Sequence, residues 1–285
     1  MERMNQKVGI VGLGLIGASL AKALSHRTDC TVYGLDIDRS TVEMALAEGT
    51  IAAELTDLGQ LDVLIVALFP QATVEYIQEN AEKLRKGCLV MDICGVKKQV
   101  ADRVAPLCKS CGVEYIGAHP MAGRERWGYQ NSTEDLFDNA SIILTPIFTD
   151  SWALQLAAQL CEQIGFGRVV YTDPDSHDKM IGYTSQLAHI LSSAYIKNPL
   201  CMNYKGYTGG SFQDLTRVAK LNPIMWSELF LLNQQHFWTS TPERRDILIG
   251  SLQEYRQALA AGDRSCLEKL LEEGSRIKQQ LNEQK

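Results

Sequence analysis

Three things are scarce in this sequence: positive charge in excess, long apolar runs, and repeated metal-ligand spacings. The 285 residues hold 28 Lys and Arg against 34 Asp and Glu, a formal net charge of −6. A surface of that sign offers no electrostatic footprint for nucleic acid or an anionic membrane. No apolar stretch reaches the roughly 18 residues that a spanning helix needs. The N-terminal MERMNQKVGIVGLG enters a strand pattern without the apolar core of a secretory leader. A cytoplasmic protein with neither nucleic-acid nor membrane partners is therefore expected. Eight cysteines are present, but only Cys108 and Cys111 make a C-x-x-C pair. A zinc site needs about four ligands, so no metal is expected and the thiols are read as reduced. Internal repeats and low-complexity tracts are lacking too, which excludes a solenoid.

What is present is a hydrophobic content of 45%, enough for one large domain or two ordinary ones. Strand-like segments occur at 8–13, 31–36, 62–68, 88–93, 114–118 and 141–146, and RVVYT follows after one more helix. Between them IGASLAKALS, STVEMALAEG, ATVEYIQENAEKL and KKQVADRVAPLC have apolar residues at i, i+3 and i+4. Strands alternating with helices predict an α/β fold with a parallel sheet. Beyond residue 172 strand patterns stop. The segment 173–197 reads as one amphipathic helix of about 25 residues, roughly 37 Å long, and more helical segments follow. The expected organisation is a Rossmann-type dinucleotide-binding domain over 1–172 and an all-helical domain over 173–285 suited to substrate binding and dimerisation.

VGIVGLGLIGASLA contains G-x-G-x-x-G as Gly12, Gly14 and Gly17, after a strand and opening a helix. That context gives the motif its meaning. Gly12 allows the tight turn, Gly14 lets backbone approach a pyrophosphate, and Gly17 allows close helix–strand packing. The N–H groups of Leu15 and Ile16 open the helix, where an anion is favoured. Asp36 ends the second strand, near the expected interval of about 20 residues for the ribose-binding acid. Its carboxylate favours NAD over NADP, although Arg39 nearby offers a cation for a 2′-phosphate. Cys94 and Gly95 follow the strand CLVMDI and are assigned to the cofactor side.

Ligands gather at the carboxyl ends of strands in an open α/β sheet, and His119 follows EYIGA there. Alcohol oxidation by NAD needs a base for the hydroxyl proton, a task that suits neutral imidazole. The bland alternative is that His119, opening HPMAGRERWG, is a turn residue. His177 and Asp178 read as capping groups of the long helix.

GLGLIGASLA, Asp36, the D-x-x-G-V-K at 92–97, HPMAGRERWG, HDKMIGYTSQLAH (177–189) and GGSFQDLTRVAKLNPIMW (209–226) together resemble prephenate dehydrogenase, in order over nearly the whole chain. The resemblance implies NAD-dependent oxidative decarboxylation of prephenate to 4-hydroxyphenylpyruvate and a homodimer joined through the helical domain. It makes His119 the catalytic acceptor of the 4-hydroxyl proton and Arg217 the carboxylate-binding arginine. It also places His189 and Ser185, four apart on one helix face, at the substrate. Gln186, Glu125 near the pocket mouth and Trp226 complete the expected set.

Two positions depart from the family pattern. Gly95 stands where many members carry a serine whose hydroxyl bonds substrate and histidine, and Gln186 replaces a histidine. The second change leaves arogenate, or dual specificity, as an alternative to prephenate. A β-hydroxyacid dehydrogenase, with Lys179 as its acid/base, is a further alternative, as is an NAD-sensing regulator; neither gives HPMAG a task.

Overall fold

In the computed structural model residues 4–124, 126–237 and 247–283 are described. They form two compact units, Met1–His236 and Phe237–Lys285. The first unit is built on an eight-stranded sheet: β1 (Lys7–Val11), β2 (Thr31–Leu35), β3 (Ala53–Glu54), β4 (Val63–Val66), β5 (Leu89–Asp92), β6 (Glu114–Pro120), β7 (Ser141–Pro146) and β8 (Arg168–Tyr171). Their order is β3-β2-β1-β4-β5-β6-β7-β8, with the reversal of direction of winding between β1 and β4. The expected strands are present, but the sheet is not wholly parallel. β7 runs antiparallel to β6, His119 facing Ile143, and β8 is parallel to β7. The two-residue β3 is too short to leave a periodic signal.

Strands covered on both faces read as continuous apolar runs rather than alternating ones. β4, VLIV, shows why: Val63 and Ile65 join one core, with α1 (Leu15–Arg27) and α5 (Ser151–Ile164), while Leu64 and Val66 join the other. The second core packs α3 (Pro70–Asn80) and α4 (Lys98–Cys111). Truncating such a side chain to alanine costs about 2–5 kcal/mol. α2 (Arg39–Ala47) lies between β2 and β3, capped by Asp38, which accepts from Ser40 N.

After β8 the chain is helical, but the long helix is not uniform. α6 (Pro174–Ile181) passes into a π-helical segment, Gly182–Leu187, and then α7 (Ala188–Tyr195). π segments are rare and recur at functional sites. α8 (Gly210–Thr216) continues into a 3₁₀ turn, Arg217–Ala219, before α9 (Pro223–Leu232) and α10 (Gln234–Phe237). The second unit is the hairpin of α11 (Ile247–Ala261) and α12 (Arg264–Glu283). Gly262 supplies the left-handed turn at φ +65°, and Asp263 caps α12 by accepting from Cys266 N. Among the described residues no helix is long and apolar enough to cross a membrane.

Candidate active site

The glycines of the first loop divide their work as their surroundings dictate. Gly12 has φ +89°, and a Cβ there would lie 2.5 Å from Ala67 O. A Cβ on Gly17 would lie 1.9 Å from Gly12 O, so helix and loop touch backbone to backbone. Around Gly14 nothing lies within 4 Å of the Cβ position. Packing does not demand glycine at that point; open space for an approaching ligand does. Gly14 is also the N-cap of α1 and offers no side chain to its N–H groups, so those of Leu15, Ile16 and Gly17 are set for an anion. These residues fit a dinucleotide.

Asp36 has a task that sequence does not disclose. Its Oδ2 accepts from Leu13 N at 2.6 Å and its Oδ1 from Asp38 N at 2.9 Å, which ties the glycine loop to the end of β2. Arg39 is held by Glu54, with Nη1 2.5 Å from Oε2, and by Glu43 at 3.4 Å. Its guanidinium is engaged by carboxylates rather than set out for a phosphate.

At the carboxyl end of β6, His119 is half-buried and its Nδ1 lies 2.9 Å from His177 Nε2. His177 is 2% exposed and its Nδ1 lies 2.8 Å from Asp178 Oδ1. Asp178 also accepts from Lys97 N at 2.7 Å and Lys98 N at 2.9 Å, the opening of α4. The pair therefore does not cap its own helix. Asp173 does that by accepting from Ser176 N, and with Pro174 in the first turn His177 and Asp178 come too late to cap it. That Asp-Pro start is the signal that marks them as spare. Burial holds His119 well below the ordinary imidazole pKa, reinforced by His177 and the Lys97 ammonium. Burial lowers His177 as well, opposed by Asp178.

A second buried network lies beneath. Lys97 has no exposed surface, and its ammonium pairs with Asp92 and donates to Ala118 O at 2.7 Å. Asp92 also accepts from Tyr115 Oη at 2.6 Å and Cys94 N at 3.0 Å. Burial first, then Asp92, drives the Tyr115 phenol well above its usual pKa. Gly117 makes room: a Cβ there would stand 2.4 Å from Thr145 Oγ1 and 2.9 Å from Lys97 Cδ. Lys97 was only part of a motif in the sequence; its burial is what the structure adds.

A family model described as the nucleotide-binding domain of prephenate dehydrogenase matches residues 20–171, and one described as its dimerization domain matches 173–273. The chain belongs to the prephenate dehydrogenase family. A prephenate dehydrogenase from Lactococcus lactis is 29% identical over 96% of this chain and 77% of its own length. A cyclohexadienyl dehydrogenase from Zymomonas mobilis is 28% identical over 90% of this chain and 89% of its own. The crystal structure of prephenate dehydrogenase from Aquifex aeolicus, in complex with hydroxyphenyl propionate and NAD⁺, aligns over 99% of both chains with 27% identity and a TM-score of 0.83.

Within this prephenate dehydrogenase fold the remaining expected residues divide. His189 Nδ1 donates to the carbonyl of Ser185 at 2.8 Å, not to its hydroxyl, and the imidazole stacks on Trp226 with centroids 4.1 Å apart. Ser185 lies in the π segment, and the contact between the two residues runs through its backbone. Gln186 is not placed as a substrate group: it is 1% exposed, its Oε1 accepts from Asn233 Nδ2 at 2.6 Å and its Nε2 donates to Leu229 O at 3.5 Å. Cys94 likewise offers no side chain to a cofactor. Its thiol is buried against Thr73 Oγ1 and Leu68 O, and burial pushes its pKa upward. Gly95 lies beside His119, since a Cβ there would lie 3.8 Å from His119 Nε2 and 3.5 Å from Leu229. Arg217 is exposed in its 3₁₀ turn, and Glu125 lies outside the described residues. All eight cysteines, Cys108 and Cys111 included, are free thiols. Among the described residues no group of three or more His, Cys, Asp or Glu could hold a metal ion.

Proposed function

We propose that this protein oxidatively decarboxylates prephenate to 4-hydroxyphenylpyruvate, with His119 as the proton acceptor. The carrying observation is His119 itself: at the carboxyl end of β6, kept neutral by burial, with Nδ1 engaged and Nε2 toward Gly95. Bound NAD⁺ supplies the hydride acceptor. His119 Nε2 takes the 4-hydroxyl proton as hydride leaves C4 and the carbonyl forms. The ring carboxylate then leaves as CO₂, and its bonding electrons aromatise the ring while the carbonyl oxygen regains a proton. Asp36 accepts from the adenosine ribose hydroxyls, and Arg39, engaged by Glu54, leaves a 2′-phosphate without a partner. Both features support NAD over NADP, as does the NAD⁺ in the related A. aeolicus structure.

A guanidinium matches a carboxylate of prephenate, a role we give to Arg217, and His189, against Trp226, contacts the substrate. Ser185, whose carbonyl holds His189, belongs to the same substrate surroundings. The functional division runs at 172/173, residues 1–172 serving the cofactor and 173–285 the substrate and a homodimer. The match to a dimerization domain supports the last point.

Purified protein with NAD⁺ and prephenate should raise NADH absorbance, with arogenate assayed alongside because one relative is named a cyclohexadienyl dehydrogenase. NAD⁺ binding without turnover of either compound would overturn the proposal.

A further inference from the structure

We infer that His177 and Asp178 are positioning residues that hold His119 in the one neutral tautomer able to accept a proton at Nε2. The inference rests on the reading of His119 as the base. Asp178 receives three donors: Lys97 N, Lys98 N and His177 Nδ1. A carboxylate facing two backbone N–H groups is an acceptor and has no hydrogen to give. His177 Nδ1 must then carry the hydrogen. Neutral imidazole has only one N–H, so His177 Nε2 presents a lone pair, and it is this atom that lies 2.9 Å from His119 Nδ1. His119 therefore donates from Nδ1, which leaves the lone pair on Nε2, the atom nearer Gly95. Reversing the chain would set a bare His177 Nδ1 against the Asp178 carboxylate, lone pair against lone pair. Burial of both rings keeps each in the neutral form that this logic requires.

Helix capping does not explain the arrangement. Asp178 caps α4 and Asp173 caps α6, and among the described residues the partner of His177 Nε2 is His119 Nδ1. Gly95, which adjoins His119 Nε2, has no side chain to offer the ring. In this chain His177 is the side chain hydrogen-bonded to the His119 ring.

The test is ¹⁵N NMR of histidine-labelled protein, which holds five imidazoles, with the His119 signals assigned by their loss in His119→Asn. In the unmodified protein His119 should show a protonated, pyrrole-like Nδ1 and a bare, pyridine-like Nε2. His177→Phe keeps a ring but removes the acceptor. It should populate the Nε2–H form of His119 and lower kcat by about 10–100-fold, leaving NAD⁺ affinity and substrate KM within about twofold. His177→Gln, which can offer an amide oxygen to Nδ1, should recover part of the rate and of the tautomer. An Nε2–H His119 in the unmodified protein overturns the inference, whether or not the variants fold. So does a His177→Phe protein with undiminished kcat beside an inactive His119→Asn. If His119→Asn itself keeps normal kcat, the base assignment falls instead.

Discussion

Lys97→Met isolates the buried ion pair under the site. Lys97 and Asp92 have no exposed surface, so the substitution leaves a desolvated carboxylate with Tyr115 Oη and Cys94 N as its donors among the described residues. Removing one partner of a buried pair costs about 3–5 kcal/mol, a large part of the roughly 5–15 kcal/mol by which a domain is stable. Ala118 O, beside His119, loses its donor as well. Methionine matches the stem of lysine, so packing changes little and the loss is electrostatic. Urea denaturation should show the full destabilisation, and Asp92→Asn combined with Lys97→Met should restore most of it, since the orphaned charge is gone. A second readout follows from the sign of the interaction. The Lys97 ammonium helps hold the His119 pKa down, so removing it raises that pKa. The ascending limb of kcat/KM then moves to higher pH. A Lys97→Met protein within about 1 kcal/mol of the original, with its limb unmoved, would refute both the buried pair and its influence on the base.

His119→Asn should lower kcat by about 10²–10⁴-fold, the contribution of a positioned base, with NAD⁺ affinity nearly intact. In the original enzyme the ascending limb should lie below the ordinary imidazole range, because burial favours the neutral ring; in the Asn variant it should vanish, and a surviving limb would mean another base. Asp36→Ala should weaken NAD⁺ about tenfold or more and narrow the preference over NADP⁺, and a parent enzyme that already prefers NADP⁺ would refute the assignment. Arg217→Ala should raise substrate KM about 10–100-fold, or roughly 1.4–2.8 kcal/mol, with Arg217→Lys recovering part; unchanged KM in both removes Arg217 from the site.

The sheet was legible because fully buried strands leave dense apolar runs, and G-x-G-x-x-G because turn, approach and packing each need glycine at one position. Direction was not legible: SIILTP reads the same whether β7 runs with β6 or against it. The π segment was equally silent, since one extra residue per turn over GYTSQL barely disturbs an apolar stripe. Site residues failed where burial decides. Gln186 looks like a polar group available to substrate until Asn233 and Leu229 O are seen to hold it. Lysine is among the residues most rarely buried, so no local pattern pointed to Lys97 lying under β6.

Lys97 also joins the two networks. Its backbone N–H goes to Asp178, which orients His177, while its ammonium goes to Asp92 and to the carbonyl next to His119. His119 is thus held along both of its approaches by one residue at the start of α4. Asp178 reaches that residue from α6, in the segment matched by the dimerization domain, while His119 stands on β6, in the segment matched by the nucleotide-binding domain. A change in how α6 rests on α4 would therefore disturb the His119 ring directly, through Asp178 and His177, with no movement of the sheet. That coupling gives the buried charges a role beyond stability, since a buried pair alone is weak evidence for it. They fix the register between α6 and the strand that carries His119.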